Sequence, residues 1–324
     1  MSSLLAKRDL TPQFISLEDS AKQEIAQGLL QHRARLSPKY FYDAIGSTLF
    51  EAICQLDEYY LTRAEAAIFS HHAEEIAQAT GAVGALIDLG AGNCEKAAGL
   101  FGALQPDIYV PVDISEGFLL DKVAALRKRF PAVPMQPVAM DFSETLQLPE
   151  PIQERTRKLF FYPGSSLGNF APLQALQFLQ RMRAACGDGE GGILIGVDLV
   201  KDAETLQAAY DDGLGVTAAF NLNALRHVNR ILASDFDPRD WAHVAVFNAQ
   251  QSRVEMHLRA CSDVTVRWPE DSRHFGKGEH IHTESSYKFT RETLTELLAQ
   301  AGFGDAQCWS DPAQTYLVCH ARAI

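Results

Sequence analysis

The feature that most constrains the fold is a regular alternation of apolar and helical segments between residues 84 and 200. The periodicity predicts strands at 84–89, 108–112, 135–139, 158–162 and 192–197, and helices at 95–104, 115–130 and 172–185. Strict alternation is typical of an α/β fold with a doubly wound, mainly parallel sheet. Ligands of such domains bind at the carboxyl ends of the strands, so we expect the functional residues along that edge.

After residue 200 the alternation stops, which predicts an insertion. Its regular segments are predicted helices at 203–211 and 216–232 and predicted strands at 244–248 and 253–260. The last of these is apolar on one face and charged on the other, as an antiparallel strand with one solvated face should be. After the insertion, a helix is predicted at 291–301 and a strand pair at 306–309 and 315–320.

The predicted domains are therefore discontinuous. We predict that residues 64–200 and 287–324 form the doubly wound domain, and that residues 1–63 and 201–286 form a second, α+β domain. Residues 1–15 are predicted to be irregular.

The N-terminal part combines two predicted helices with an aromatic segment. One helix is predicted from residue 16 to about residue 32, and another from a capping box at Thr62-Arg-Ala-Glu65 to about residue 79. Between them lie four tyrosines, at positions 40, 42, 59 and 60. Phenols combine apolar area with one hydrogen-bonding tip. The segment is thus either a loop that buries its rings or a lid over a polar substrate.

Bulk properties narrow the class of protein. The 324 residues are 47% hydrophobic, which can fill a large core, and carry a formal net charge of −12 without blocks of like charge. Nothing therefore attracts nucleic acid or an anionic membrane. The N-terminus lacks a signal-peptide pattern and no segment reaches membrane-spanning length, so we expect a cytosolic protein.

The six cysteines, at 54, 94, 186, 261, 308 and 319, are far apart and form no C-x-x-C pair. The histidines are not clustered, so the sequence predicts no metal site. We expect the cysteines to be reduced thiols, most of them buried.

Residues 86–96, Leu-Ile-Asp-Leu-Gly-Ala-Gly-Asn-Cys-Glu-Lys, predict a strand, a tight turn and a helix. Glycine lets backbone N–H groups and the helix N-terminus approach a nucleoside cofactor. Dinucleotides and S-adenosylmethionine both bind such turns, and a turn that only serves packing is the alternative. The dinucleotide fingerprint requires a small residue where Glu95 stands, and this carboxylate would repel a pyrophosphate. The turn, with Gly90 and Gly92, therefore favours S-adenosylmethionine.

Further polar residues follow the predicted strands. Asp113 ends the second strand, where a carboxylate can accept hydrogen bonds from ribose hydroxyls, although an N-cap role is equally open. Asp141 and Phe142 follow the third strand and could contact the adenine amino group and its face. Asn169 lies in a glycine-rich loop after the fourth strand, where its amide could orient an amine without charging it; a turn or cap role is the alternative. Because these residues all follow strands at the same edge of the predicted sheet, they favour a pocket for a nucleoside.

Several motifs of the sequence together resemble those of one known family. The motifs are Tyr-Phe-Tyr-Asp-Ala at 40–44, Glu-Tyr-Tyr-Leu-Thr-Arg-Ala-Glu at 58–65, Asp-Leu-Gly-Ala-Gly-Asn-Cys-Glu-Lys at 88–96, Val-Pro-Val-Asp-Ile-Ser at 110–115, Gly-Ser-Ser-Leu-Gly-Asn-Phe at 164–170, and segments 196–202, 209–223, 253–257 and 282–289. Together the chain resembles the L-histidine Nα-methyltransferases of ergothioneine biosynthesis. The resemblance implies a class I methyltransferase-like fold and stepwise trimethylation of the histidine amine to hercynine with S-adenosylmethionine.

The resemblance also implies roles for individual residues. The substrate-binding residues would be Tyr42, Tyr60, Asn169, Tyr210, Met256, Glu284 and Ser286, with Asn169 and Tyr60 also catalytic. The cofactor-binding residues would be Gly90, Gly92, Lys96, Asp113, Asp141 and Phe142. Two departures are Leu61, where proline is common, and Cys94, where a polar residue is more usual, so the cofactor contacts at the turn remain open.

Within the implied site, Glu284 and Ser286 would take the imidazole, and Tyr210 would hold the substrate carboxylate. Two residues apart on an extended segment, Glu284 and Ser286 point to the same side. We expect a monomer acting on a small-molecule substrate. The alternatives are a methyltransferase of the same fold acting on another amino acid or a histidine derivative, and a non-catalytic module that binds S-adenosylmethionine.

Overall fold

The computed structural model describes residues 17–143, 145–188 and 190–324. In these residues the strands are, in chain order, β1 (Ala85–Leu89), β2 (Tyr109–Asp113), β3 (Val138–Ala139), β4 (Lys158–Tyr162), β5 (Gly192–Asp198), β6 (Trp241–Asn248), β7 (Arg253–Ala260), β8 (Val264–Trp268), β9 (Asp271–Phe275), β10 (His280–Tyr287), β11 (Phe303–Ser310) and β12 (Tyr316–Ala323). The predicted irregular segment 1–15 and the predicted helix start at residue 16 lie outside the described residues.

The helices of the described residues are, in chain order, α1 (Leu17–Leu30), α2 (Ala44–Ile53), α3 (Leu61–Thr80), α4 (Glu95–Ala98), α5 (Phe101–Leu104), α6 (Glu116–Arg129), α7 (Glu150–Gln153), α8 (Pro172–Cys186), α9 (Ala203–Ala208), α10 (Val216–Leu232) and α11 (Arg291–Gln300). Short 3-10 helices lie at Pro38–Phe41, Ser166–Asn169 and Pro238–Asp240. None of the helices in this part of the chain has the length and apolar character needed to cross a membrane.

A seven-stranded sheet carries the α/β part of the fold, with strand order β11-β12-β5-β4-β1-β2-β3. Strands β1 to β5 pair in parallel, and β12 runs antiparallel to both β5 and β11. Every residue of β1, β4 and β5 is buried, because helices cover both faces of the sheet. The predicted doubly wound, mainly parallel sheet is confirmed.

The core lies on both faces of this sheet. Alternate residues of β1 enter two apolar clusters: Leu86 belongs to one, while Ala85 and Ile87 belong to the other. This division follows from the period of two along a strand. The polar residues of interest follow the carboxyl ends of the strands.

A three-stranded antiparallel sheet, β10-β7-β6, and a two-stranded sheet, β8-β9, are formed by the predicted insertion. Helices α1 and α10 pack with these strands around a third apolar cluster that includes Ile25, Leu225 and Leu258. The predicted bounds of α10 and β7 agree with the structure. Strands β8 and β9 were not predicted, and neither were the bounds of β10.

Three local predictions are wrong. The Thr62–Glu65 capping box does not form, since α3 begins at Leu61 and its N-cap, Tyr60, makes no side-chain cap hydrogen bond. The helix predicted at 95–104 is divided into α4 and α5, with Gly99 as the C-cap of α4. The third strand is reduced to two residues, because Pro137 lacks the N–H that a ladder needs.

All six cysteines are free thiols. Cys94, Cys186 and Cys319 are buried, whereas Cys261 is exposed. No group of three or more His, Cys, Asp or Glu side chains is placed to hold a metal ion within the described parts of the chain.

Candidate active site

A cleft of about 510 Å³, including its opening to solvent, lies between the loop after β4 and strands β7 and β10. The lining residues are Tyr42, Phe50, Ile53, Tyr59, Gly164, Ser165, Ser166, Asn169, Ala209, Tyr210, Thr217, Phe220, Met256, Glu284 and Ser286. The structure thus brings together every residue predicted to bind substrate except Tyr60.

The glycine-rich turn after β1 forms the other side of the candidate site. Gly90 and Gly92 have φ values of 72° and 52°, a region that favours glycine. The N–H of Gly92 donates to the Asp113 carboxylate at 3.0 Å, and the N–H of Ser115 donates to the other oxygen at 3.0 Å. Asp113 therefore closes the turn and also supports the start of α6. Its carboxylate oxygens keep lone pairs available for ribose hydroxyls.

Glu95 is paired with a neighbouring helix. Its side chain is half exposed and forms an ion pair with Arg129 at the end of α6. The Glu95 carboxylate, which was expected to repel a pyrophosphate, is therefore paired with α6.

Asp141 and Phe142 lie beyond β3 at the same edge of the sheet. One oxygen of Asp141 accepts from the N–H of Ser143 at 3.0 Å, and the other pairs with Lys39 Nζ at 3.1 Å. Burial acts to raise the pKa of Asp141, but the bonds from Ser143 and the charge of Lys39 outweigh it and hold the pKa below its ordinary value. Asp141 is thus an anion, while the Phe142 ring packs on Phe178 with centroids 5.8 Å apart.

Lys96 is held by the buried carboxylate of Glu65, which was predicted to belong to a capping box. Glu65, 1% exposed, accepts from Lys96 Nζ at 2.6 Å, from the N–H of Gly164 at 2.7 Å and from the hydroxyl of Tyr316 at 2.8 Å. Because Glu65 is bonded to both Lys96 and Gly164, it joins the segment after the glycine-rich turn to the loop after β4. Its role is tertiary, not that of a helix cap.

The loop after β4 reaches the second sheet through a close backbone contact. A Cβ on Gly168 would lie only 2.6 Å from the carbonyl oxygen of Tyr287, so glycine is needed for this approach. The 3-10 helix that ends at Asn169 is thereby held beside β10. The Asn169 amide has no hydrogen-bond partner among the described residues and lines the cleft, so it is available to a ligand.

The cleft-lining residues of β10 are oriented by a β-bulge. Across β7 and β10, His282 pairs with His257 and Glu284 pairs with Met256, so the register shifts at Thr283. Without this extra residue, His282 and Glu284 would share a face, because side chains alternate along a strand. The bulge turns Glu284 into the cleft, with Met256 directly opposite.

Glu284 is a buried carboxyl without a hydrogen-bond partner among the described residues, and it is 7% exposed. Burial raises the pKa of Glu284 to about 7, although the charge of Lys288 acts in the opposite direction. Carboxylates are rarely left unpaired in a buried position. A cleft-lining group of this kind indicates a ligand that supplies the missing donor.

Tyr210 and Ser286 form one hydroxyl pair beside Glu284, with their oxygens 2.8 Å apart. Behind the pair lies Lys288, whose side chain is 0% exposed and whose Nζ is 2.9 Å from each of the two oxygens. The ammonium also pairs with Asp198 at 2.8 Å. Burial acts to lower the pKa of Lys288, but Asp198 outweighs it and the net shift is upward.

Tyr60 contacts this same buried aspartate instead of lining the cleft. Its hydroxyl lies 2.8 and 2.9 Å from the two oxygens of Asp198 and accepts from Lys201 Nζ at 2.5 Å. Burial and the charge of Asp198 raise the pKa of Tyr60, so its phenol stays protonated. The neighbouring Tyr59 lines the cleft in the place where Tyr60 was expected.

Tyr42 completes an aromatic wall. Its ring packs edge-on against Phe50 and Phe220, each with centroids 5.7 Å apart. Burial raises the pKa of Tyr42 well above its ordinary value, so this hydroxyl is neutral.

Several residues of the site were missed from the sequence. Asp198 ends β5, and this is the signal that identified Asp113 at the end of β2. Lys288 lies within the motif at 282–289, but nothing in the sequence marks it as buried. Tyr59 and Tyr60 are adjacent, and which of them lines the cleft depends only on the direction in which the chain enters α3.

The comparisons with known proteins agree on one family. Residues 21–323 match the family described as "Histidine-specific methyltransferase, SAM-dependent". The chain is 38% identical over 304 residues to the histidine N-alpha-methyltransferase of Mycolicibacterium smegmatis, covering 92% of this chain and 93% of that protein. It is also 38% identical over 298 residues to the histidine N-alpha-methyltransferase of Mycobacterium tuberculosis, covering 90% and 91%.

A longer relative is the ergothioneine biosynthesis protein 1 of Neurospora crassa. It is 30% identical over 278 residues, which cover 83% of this chain but 31% of that protein. The family match extends over most of the chain, and both the doubly wound sheet and the cleft lie within it. The chain therefore belongs to the family of S-adenosylmethionine-dependent, histidine-specific methyltransferases.

Proposed function

We propose that this protein transfers methyl groups from S-adenosylmethionine to the α-amine of L-histidine, in three steps that give Nα,Nα,Nα-trimethylhistidine. The observation that carries the proposal is the buried, unpartnered carboxyl of Glu284 beside the hydroxyl of Ser286 in the cleft. A neutral imidazole offers one N–H and one acceptor nitrogen. Glu284 accepts the first and a hydroxyl donates to the second, which supports an imidazole side chain over an indole or a phenol.

The residues at the strand ends fit S-adenosylmethionine, the methyl donor of the family. Gly90 and Gly92 leave room for close approach to the backbone, and Asp113 keeps acceptor capacity for ribose hydroxyls. Asp141 is anionic and suits the adenine amino group, with Phe142 beside it. Lys96 lies at the junction with the loop after β4, where its ammonium would meet the carboxylate of the methyl donor.

Within the cleft, the protein orients an amine more than it activates one. S-adenosylmethionine supplies a methyl group on a good leaving group, so the transfer needs a neutral amine in line with the methyl carbon. The Asn169 amide is free to accept from the amine and to orient it without adding charge. The carboxyl of Glu284 binds the imidazole and does not act on the amine. In our proposal the amine releases its protons to bulk water, with Tyr42 or Tyr59 as relays.

We assign to Tyr59 the substrate contact expected of Tyr60. Tyr59 lines the cleft, whereas the Tyr60 hydroxyl is engaged with Asp198 and Lys201. The Tyr210 hydroxyl lies 2.8 Å from Ser286 Oγ and accepts from Lys288, so in this proposal it supports Ser286 and does not hold the substrate carboxylate as expected. Met256 packs beside the imidazole. Tyr60 acts through Asp198 as a supporting residue.

The proposal includes the predicted organisation of the chain. Residues 64–200 and 287–324 bind S-adenosylmethionine, and residues 1–63 and 201–286 bind the amino acid. We also propose that the protein acts as a monomer. We further propose that the protein works in the cytosol and that its product enters ergothioneine biosynthesis, as the name of the Neurospora crassa relative suggests.

The test is to incubate the protein with S-adenosylmethionine and a panel of free amino acids, and to follow the masses of the products. We expect L-histidine to gain one, two and then three methyl groups, and tryptophan, tyrosine and ring-substituted histidines to gain few or none. Preferential methylation of another amino acid would establish the alternative acceptor. Loss of histidine methylation with retained S-adenosylmethionine binding would indicate a non-catalytic module.

A further inference from the structure

The buried ammonium of Lys288 has a full set of partners. Its three protons have three acceptors at hydrogen-bond distance: Asp198 Oδ2 at 2.8 Å, Tyr210 Oη at 2.9 Å and Ser286 Oγ at 2.9 Å. Since an ammonium can only donate, the oxygens of Tyr210 and Ser286 must both accept from Lys288. Each hydroxyl then has only its own proton left to donate.

One of these two protons is consumed within the pair. The oxygens of Tyr210 and Ser286 are 2.8 Å apart, so one hydroxyl donates to the other. A phenol is the stronger donor, which favours donation from Tyr210 to Ser286. The Ser286 oxygen then accepts from both Lys288 and Tyr210, and its own proton has no acceptor within this group. Ser286 lines the cleft two residues from Glu284.

Resting on the proposed function, we propose that Lys288 is a positioning residue that makes Ser286 a fixed hydrogen-bond donor to the imidazole of the substrate. Together with Glu284 as the acceptor, this gives the cleft one donor and one acceptor for the ring. The neutral imidazole carries the complementary pair, whereas an indole or pyrrole ring has no acceptor nitrogen. Lys288 thus contributes to the recognition of histidine without touching it.

The first test compares three ligands that differ only in the nitrogens of the ring. L-Histidine is matched with the two pyrrolylalanines, in which one or the other ring nitrogen is replaced by CH. In the wild type we expect histidine to bind about 10- to 100-fold more tightly than the better pyrrolylalanine, because that analogue leaves the Ser286 proton without an acceptor. In Lys288→Met this ratio should fall to within about threefold, since the hydroxyl pair is no longer held in one direction.

The variant keeps a partner for the buried aspartate. Asp198 retains the hydroxyl of Tyr60 and the ammonium of Lys201, so Lys288→Met does not leave it bare. A structural role alone would weaken all three ligands equally and leave the ratio unchanged. That result would overturn the inference.

If Lys288→Met does not fold, a second pair of variants tests which hydroxyl is the donor that Lys288 is proposed to fix. Ser286→Ala should abolish the preference for histidine over the pyrrolylalanines, whereas Tyr210→Phe should retain it, because Ser286 still accepts from Lys288. A preference lost in Tyr210→Phe and kept in Ser286→Ala would show that the donor is Tyr210 and would refute the assignment. Wild-type protein that binds no histidine would overturn the proposed function itself, a result distinct from an unchanged ratio.

Discussion

Replacing Glu284 with glutamine should make the unliganded protein more stable, and by an amount that depends on pH. Burial raises the pKa of Glu284 from its ordinary value of 4.5 to about 7, so the folded state favours the protonated carboxyl. The stabilising contribution of this group is therefore fully present below pH 4.5 and is lost as the pH rises through about 7. Glutamine has the same shape and does not titrate.

The magnitude follows from the two pKa values. One pKa unit corresponds to about 1.4 kcal/mol, so the wild type loses at most about 3 kcal/mol of unfolding free energy from this site between pH 4.5 and pH 8. Glu284→Gln avoids that loss. For a chain of 324 residues, about 3 kcal/mol corresponds to a rise in Tm of roughly 4 °C.

Thermal unfolding of both proteins without ligands, followed by circular dichroism at pH 5 and at pH 8, measures the effect. We expect nearly equal Tm values at pH 5 and a higher Tm for Glu284→Gln at pH 8. The matched control is Glu296→Gln on the exposed face of α11, which should change Tm at neither pH. A difference of the same size at both pH values, or a variant less stable at pH 8, would refute the reasoning.

Three further substitutions separate the roles in the cleft. Asn169→Ala should lower turnover of L-histidine about 100-fold with little change in S-adenosylmethionine affinity, because an orienting contact is lost; unchanged kcat would exclude that role. Glu284→Ala should raise the Kd of L-histidine about 10- to 100-fold by calorimetry and spare S-adenosylmethionine, whereas equal losses would contradict it. Tyr59→Phe should weaken histidine binding, while Tyr60→Phe should chiefly lower the unfolding free energy, by about 1–3 kcal/mol; reversed effects would restore Tyr60 to the substrate site.

Much of the fold could be predicted because it depends on local periodicity. The alternation between residues 84 and 200 is a property of neighbouring residues, and the strand ends follow from it. Asp113 and Asn169 were identified in this way, since parallel strands bring their carboxyl ends to one edge. The prediction that Glu284 and Ser286 face the same side also followed from a local rule, the period of two along an extended segment.

The remainder depends on long-range contacts that no local pattern encodes. Glu65 matched a capping box in the sequence, but its oxygens are used by Lys96, Gly164 and Tyr316. Lys288 is recognisable as part of the site only when Asp198, almost a hundred residues earlier, is placed behind it.

The β-bulge at Thr283 was equally beyond local reasoning. It reverses the face to which β10 directs its side chains, and only the pairing with β7 reveals it. The alternation of apolar and polar residues by itself gave no sign of this reversal.

The most direct test of the central claim is to locate the methyl groups on the product formed from L-histidine and S-adenosylmethionine. In the proposed binding mode the imidazole lies at Glu284 and Ser286 and the amine at Asn169, so all three methyl groups should lie on the α-nitrogen. Nuclear magnetic resonance of the product should then show a single trimethylammonium resonance and an unmodified ring. Methyl groups on a ring nitrogen would contradict the account.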